Sequence, residues 1–198
     1  MPYLLHALQL AGQRGLGHAQ GHFALEHLDQ ETDPGTDDWR RVYAPATGHY
    51  LPLVPASPRP PPAPPQARLR LLTPLRLKRQ GKLVGPAQFT LRELVFNLIG
   101  RLRLLAQHQG GDTRCLDPTA LLQAADTLNP DRGALRWHEW TRYSSRQHTL
   151  MELGGLLGHL DLAGPGLADL WPLLWLGQWV HAGKGTTFGL GAYRLTPP

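Results

Sequence analysis

Between Leu51 and Ala67 the chain carries Pro52, Pro55, Pro58, Pro60, Pro61, Pro62, Pro64 and Pro65. Each proline removes a backbone donor and locks φ at about −65°, so neither a helix interior nor a central strand can run through this stretch. What remains is an extended polyproline II connector, semi-rigid rather than coiled. The composition suits a spacer, and it also suits a ligand for an SH3-like partner. In either case it divides the 198 residues into an N-terminal segment, 1–50, a linker, 51–67, and a C-terminal domain, 68–198.

Charge follows that division. Residues 1–66 hold four Lys or Arg against six Asp or Glu, whereas residues 67–198 hold sixteen against nine, a balance of +7. A basic domain attracts polyanions, because neutralising phosphates releases their counterions. Scattered arginines also serve as an ordinary solvated surface, so charge alone leaves both readings open. No apolar run reaches the roughly 18–20 residues that a membrane span needs, and the opening residues lack a signal-peptide pattern. Cys115 is the single cysteine. No intrachain disulfide can form, and a reducing, cytoplasmic location is expected.

Beyond the linker, Ala67–Leu83 reads as a strand or hairpin, with Leu69, Leu71, Leu75 and Leu77 set between Arg68, Arg70, Arg76 and Lys78. Thr90-Leu-Arg-Glu93 is a capping box, and Leu91, Leu94, Val95, Leu98, Leu102 and Leu105 follow at helical spacing until Gly110-Gly111 stops the helix. A shorter inserted helix is predicted near Pro118–Leu128. Leu135–Tyr143 alternates as a strand, with Trp137, Thr141 and Tyr143 on one face and Arg136, His138, Trp140 and Arg142 on the other. Leu150–Leu162 is a second strand, in which Gly154, Gly155 and Gly158 mark a bulge or a close backbone approach. Leu170, Leu173, Leu174 and Gly177 share a helix face, with Asp169 as its expected cap and Pro172 in the tolerated first turn. Phe188–Leu195 is the expected final strand. The order β–α–(α)–β–β–α–β is that of an α+β, ferredoxin-like or RRM-like domain, with one sheet face covered by helices and the other open.

The first 50 residues look like half of a second such domain: a helix over Tyr3–Ala11, a closing strand at Gly21–Leu28 and an added hairpin, Trp39–Leu53, around Gly48.

The richest chemistry lies at the end. Four glycines, at Gly183, Gly185, Gly189 and Gly191, surround Lys184, Thr186 and Thr187. Glycines let backbone amides approach a ligand and adopt positive φ, so the loop can cradle phosphate oxygens; it can also be a tight turn before a strand. It is not a nucleotide-binding P-loop. Five residues rather than four separate Gly177 from Gly183, Gly185 follows the lysine, and the loop leads from a helix into a strand.

Gly183-Lys-Gly-Thr-Thr-Phe-Gly-Leu-Gly191 resembles the C-terminal glycine-rich loop of the CRISPR-associated RAMP superfamily, and within it the endoribonucleases that cut CRISPR repeat transcripts. Arg142-Tyr-Ser-Ser-Arg-Gln-His148, followed by Met151-Glu-Leu-Gly-Gly-Leu-Leu-Gly158, is similar to the C-terminal domain of one branch of those nucleases. The resemblance covers roughly residues 67–198 and is weaker over 1–56. It implies binding of CRISPR repeat RNA and metal-independent cleavage to mature guide RNA, leaving a 2′,3′-cyclic phosphate. It also implies other CRISPR effector subunits as possible partners. A non-catalytic RNA-binding relative or complex subunit is the alternative. In the resembling family a complete ferredoxin-like domain precedes this one. Its opening strands have no counterpart here, so either the sequence is truncated or another chain completes it.

Metal-free RNA cleavage needs a base for the 2′-hydroxyl, an acid for the leaving 5′-oxygen and cations for the phosphorane; histidine suits the first two roles. The family's catalytic histidine commonly lies early in the N-terminal domain, a segment without a match here. His148 and His181 are local substitutes by position, and as lone histidines each can equally be structural. Arg142 and Arg146 are candidates for phosphate, either that or salt bridges and stacking on Trp137 and Trp140. Trp140 and Tyr143 can stack a base, while Trp171, Trp175 and Trp179 are expected in the core. The RNA-binding candidates are therefore Arg142, Tyr143, Ser144, Arg146, Gln147, Gly183, Lys184, Gly185, Thr186 and Thr187. His138-Glu139, His159-x-Asp161 and His18-x3-His22 lack a strong metal pattern, so no metal or cofactor is expected.

Overall fold

In the computed structural model, which describes residues 2–128, 130–131, 133–144 and 148–197, the chain divides within the proline-rich segment into two compact units, Met1–Arg59 and Pro60–Pro198. No helix among the described residues is long and apolar enough to cross a membrane.

The first unit holds one helix, α1 (Pro2–Arg14), and one antiparallel pair, β1 (Leu28–Glu31) with β2 (Trp39–Tyr43). The closing strand expected at Gly21–Leu28 is not formed, since regular pairing begins only at Leu28. Around Gly48 the chain does turn back, but only Tyr43 and Tyr50 bridge, and the main partner of β2 is β1. The acidic stretch between β1 and β2 supplies the reason: Glu31 Oε1 accepts from the amides of Gly35 and Asp37, closing that turn. Leu5 and Val42 are the buried apolar side chains longer than alanine in this unit among the described residues.

The second unit begins inside the linker. Residues 51–65 form no helix or strand, as their prolines require, and β3 (Gln66–Leu75) starts one residue before the expected boundary. The segment is nevertheless not a free spacer. In the first unit Gln30 brackets Val54, donating to its carbonyl at 2.5 Å and accepting from its amide at 3.0 Å. In the second, the Trp171 indole donates to the Pro61 carbonyl at 2.9 Å.

After β3 come a short hairpin, β4 (Lys78–Arg79) and β5 (Lys82–Leu83), then α2 (Leu91–Gln109) and α3 (Pro118–Thr127). The rest runs β6 (Arg136–His138), β7 (Thr141–Ser144), β8 (Thr149–Glu152), β9 (Gly155–Ala163), α4 (Gly166–Val180) and β10 (Tyr193–Thr196). The Thr90–Glu93 capping box forms, and Gly110 ends α2 in the left-handed conformation. Four strands build one antiparallel sheet in the order β10-β3-β9-β6. Numbered as the four sheet strands, that is 4-1-3-2, the ferredoxin-like topology.

Period-two alternation decides what each face carries. Leu69, Leu71, Leu75, Leu156, Leu160 and Leu162 turn inward onto Leu94, Val95 and Leu98 of α2 and Leu170, Leu173 and Leu174 of α4, all at or below 5 % exposure. The opposite face carries Arg68, Arg70, His159, Asp161 and Arg194.

Three expectations need correction. The two long strands expected at 135–143 and 150–162 each break, giving β6 and β9 in the sheet and β7–β8 as a separate hairpin. Close backbone approach marks the break: a Cβ on Gly154 would lie 2.9 Å from the His138 carbonyl oxygen, and one on Gly155 2.8 Å from that of Leu75. Helix α4 begins at Gly166, so Asp169 lies in its first turn rather than capping it, and Pro172 is interior. The missing Pro172 donor falls opposite exposed Ala168, whose carbonyl water can satisfy. Finally, β10 starts at Tyr193, because residues 186–188 form a one-turn 3-10 segment within the loop.

Candidate nucleic-acid interface

The platform for the glycine-rich loop is a bulge in β3. Leu71 pairs with Gly158 and Leu75 with Leu156, so four steps along β3 meet two along β9. A proline inside a strand is a bulge signal, and Pro74 lies in this one. The freed backbone groups bind the end of the loop instead. The Leu72 and Thr73 amides donate to Ala192 at 2.8 and 3.3 Å, and Pro74 accepts from Gly191 at 3.0 Å. The Thr73 hydroxyl donates to the Gly189 carbonyl at 2.8 Å and accepts from the Ala192 amide at 2.9 Å.

The other end of the loop is held as firmly. Asn97 Oδ1, on α2, accepts from the Gly183 amide at 2.6 Å, and the Arg76 carbonyl accepts from the Lys184 amide at 2.9 Å. Between the ends, the Ala182 amide donates to Gly191 at 3.0 Å and closes a neck. That neck requires glycine: a Cβ on Gly191 would sit 1.7 Å from the Ala182 carbonyl oxygen, and one on Gly183 2.6 Å from that of Arg76. The tight-turn reading of the glycines therefore holds at the neck. The neck is a tight turn, and the tip presents exposed Lys184, Thr187 and Phe188 with half-buried Gly185 and Thr186. The amides of Gly185, Thr186 and Thr187 donate to none of the described residues. Successive unbonded amides in a turn are an arrangement suited to an anion.

The second motif reaches the first. The Arg142 guanidinium on β7 stands over the Phe188 ring, 5.8 Å from its centroid. Its aromatic partner is thus Phe188, neither Trp137 nor Trp140, since the Trp137 indole donates to Glu139 at 2.5 Å instead. The β7–β8 hairpin displays Tyr143 at 57 % and Leu150 at 68 % exposure, and Trp140 is 40 % exposed just before it. Ser144 pairs with Thr149 in the hairpin register. Arg146 and Gln147 lie outside the described residues. Trp171 and Trp175 are buried as expected, but Trp179 is 39 % exposed and leans on Trp175 with ring centroids 4.4 Å apart.

Both candidate histidines have positive φ. His148 is exposed at the hairpin turn with φ 50°, and His181 ends α4 with φ 59° and ψ 163°, a region normally left to glycine. The His181 Nδ1 lies 3.3 Å from the Leu190 carbonyl, which can only accept. In the neutral imidazole this contact selects the tautomer with its hydrogen on Nδ1. Beneath the loop, the Tyr193 phenol donates to Leu174 at 2.6 Å, and burial pushes its pKa up.

Thr73, Arg76, Asn97 and Phe188 escaped the sequence reading as site residues. Asn97 had a legible signal, a polar residue beside the Leu94–Leu98 stripe. Thr73 and Arg76 had none, because their role depends on a register that only the folded sheet defines.

A family model described as CRISPR-associated endoribonuclease Cas6 matches residues 69–193. The chain belongs to that family. The match spans β3 to the start of β10 and so includes both motifs. A Thermus thermophilus Cas6 structure aligns with a TM-score of 0.48 at 16 % identity, covering 68 % of this chain and 55 % of its own. A Cas6 product complex gives 0.46 at 18 % identity over 69 % and 53 %. A chain of a partial Cas6-RT-Cas1–Cas2 complex gives 0.46 at 22 % over 67 % and 22 %. This Cas6-family chain spans about half the length of the first of these structures. No curated protein matches it.

Proposed function

We propose that this chain processes CRISPR precursor RNA: it binds repeat RNA with the second unit and cuts it without a metal ion, giving mature guide RNA. Family membership carries the reading, and the meeting of Arg142 with the loop at Phe188 supports it. Phosphate oxygens would take the free amides of Gly185, Thr186 and Thr187, the Lys184 ammonium and the Arg142 guanidinium. Tyr143 and Trp140 would meet an unpaired base, and Arg146, Gln147 and Ser144 would complete the hairpin's contacts. The balance of +7 over residues 67–198 supplies the long-range attraction.

His181 is the better candidate base. Its tautomer is set by Leu190, leaving Nε2 able to take the proton of a 2′-hydroxyl, whose oxygen then attacks the adjacent phosphorus and expels the 5′-oxygen. His148, exposed at the hairpin turn, is the candidate acid that returns a proton to that leaving oxygen. Other CRISPR effector subunits are the further partners this reading suggests.

The test is repeat RNA incubated in EDTA with wild type, His181→Ala and His148→Ala. Discrete products with a 2′,3′-cyclic end, reduced about 10²–10⁴-fold by either substitution, are expected. Binding without cleavage by the wild type would leave the chain an RNA-binding relative.

A further inference from the structure

Arg76 breaks a rule that every other side chain around the loop obeys. Its Nε is buried and without a hydrogen-bond partner, the single such side-chain atom among the described residues. No carboxylate of the described residues forms an ion pair with it, whereas Arg68, Arg79 and Arg92 pair with Asp161, Glu93 and Asp126. A desolvated guanidinium donor left unmade is costly, and a cation without a counter-charge more so. Such a group calls for a partner, and a ligand from outside the fold can supply one.

Its location indicates what that is. The Arg76 carbonyl holds the Lys184 amide, so the residue forms the floor of the loop. Two glycines leave room for it: a Cβ on Gly183 would press on its backbone, and one on Gly155 would lie 2.9 Å from its Cγ. The backbone thus floors the loop while the side chain passes the Gly154–Gly155 link. We infer that Arg76, half-buried with its Nε covered, is the cation of a phosphate site, its guanidinium pairing from below with a phosphodiester whose outer oxygens meet the loop. The ligand class is an oxyanion with at least two acceptor oxygens, which the planar guanidinium fork suits. The proposal rests on the RNA reading above for the identity of that phosphodiester.

Arg76→Met keeps the stem and removes the charge. Three measurements are made on the full chain: thermal unfolding, thermal unfolding in inorganic phosphate, and repeat-RNA affinity against salt. An orphaned cation predicts that the variant unfolds at the same or a higher temperature than wild type. Phosphate should raise the unfolding temperature of wild type and not of the variant. RNA affinity should fall about ten- to a hundredfold, with the log–log salt slope shallower by about one unit. A lower unfolding temperature without phosphate would overturn the proposal by making Arg76 a structural part of the loop. Equal stabilisation of both proteins by phosphate, or of neither, would overturn it as well, independently of RNA. Wild type that responds to phosphate but binds no repeat RNA would instead sink the RNA reading and keep the anion site.

Discussion

Asn97 accepts the Gly183 amide hydrogen at 2.6 Å, joining the middle of α2 to the first glycine of the loop 86 residues later in the chain. Replacing Asn97 by Ala leaves that half-buried donor unmet, at a cost of about 1–3 kcal/mol. Denaturant unfolding should show this loss, together with faster amide exchange at Gly183. Unaltered stability and exchange would mean that the bond is dispensable.

Two glycines of the same loop make a controlled pair. Gly189 has φ 79° with nothing within 4 Å of an added Cβ, so Gly189→Ala should cost only the left-handed penalty, about 1–2 kcal/mol. Gly191 has a similar φ of 73°, but its Cβ would overlap the Ala182 carbonyl oxygen. Gly191→Ala should therefore destabilise far more and detach the neck. Equal unfolding temperatures for the two variants would contradict the closed neck.

His181 holds a strained backbone that glycine would relax. His181→Gly is expected to raise stability by about 1 kcal/mol or more while removing the imidazole proposed as base. Thermal unfolding and cleavage should then move in opposite directions. A destabilised variant would show that the Leu190 contact outweighs the strain.

Lys184 and Arg142 are both exposed, so the double substitution to Ala should leave unfolding within about 0.5 kcal/mol of wild type. RNA affinity should nevertheless drop, and the salt slope should lose up to about two units, one per phosphate contact. An unchanged slope would place neither side chain on a phosphate.

The Arg68 fork, bonded at 2.6 and 2.9 Å, holds the Asp161 carboxyl below its ordinary value of 3.8; partial desolvation opposes this, and His159 adds to it. A depressed carboxylate contributes its full stability above the ordinary value and loses it as pH falls through the lower folded value. Stability measured downward from pH 5 should therefore decline, and Asp161→Asn should decline less steeply over the same range. Identical profiles would show that the pair contributes nothing.

Much of the second unit was legible before its fold was known, because periodicity reports local geometry. The Thr90–Glu93 box and the Leu91–Leu98 stripe defined α2 to within a residue at its start, and the leucine alternation located the start of β3 and the end of β9. The strand breaks at Glu139–Trp140 and Leu153–Gly154 were not legible as breaks. Glycine in a strand announces close approach, but which carbonyl approaches depends on the neighbouring strand. Pro172 looked like a first-turn proline because nothing local shows that α4 has already begun at Gly166.

From sequence alone came the two-part division at the prolines, the ferredoxin-like order, the basic charge of the second part and the two motifs. All of these depend on neighbours along the chain or on simple sums. The proposed anion site was assembled by tertiary structure. Its parts, Thr73 on β3, Arg76 just after it, Asn97 on α2, Arg142 on β7 and the loop itself, are spread over more than a hundred residues. A two-residue bulge sets their register, and no local pattern encodes which distant carbonyl will meet the amides that bulge sets free.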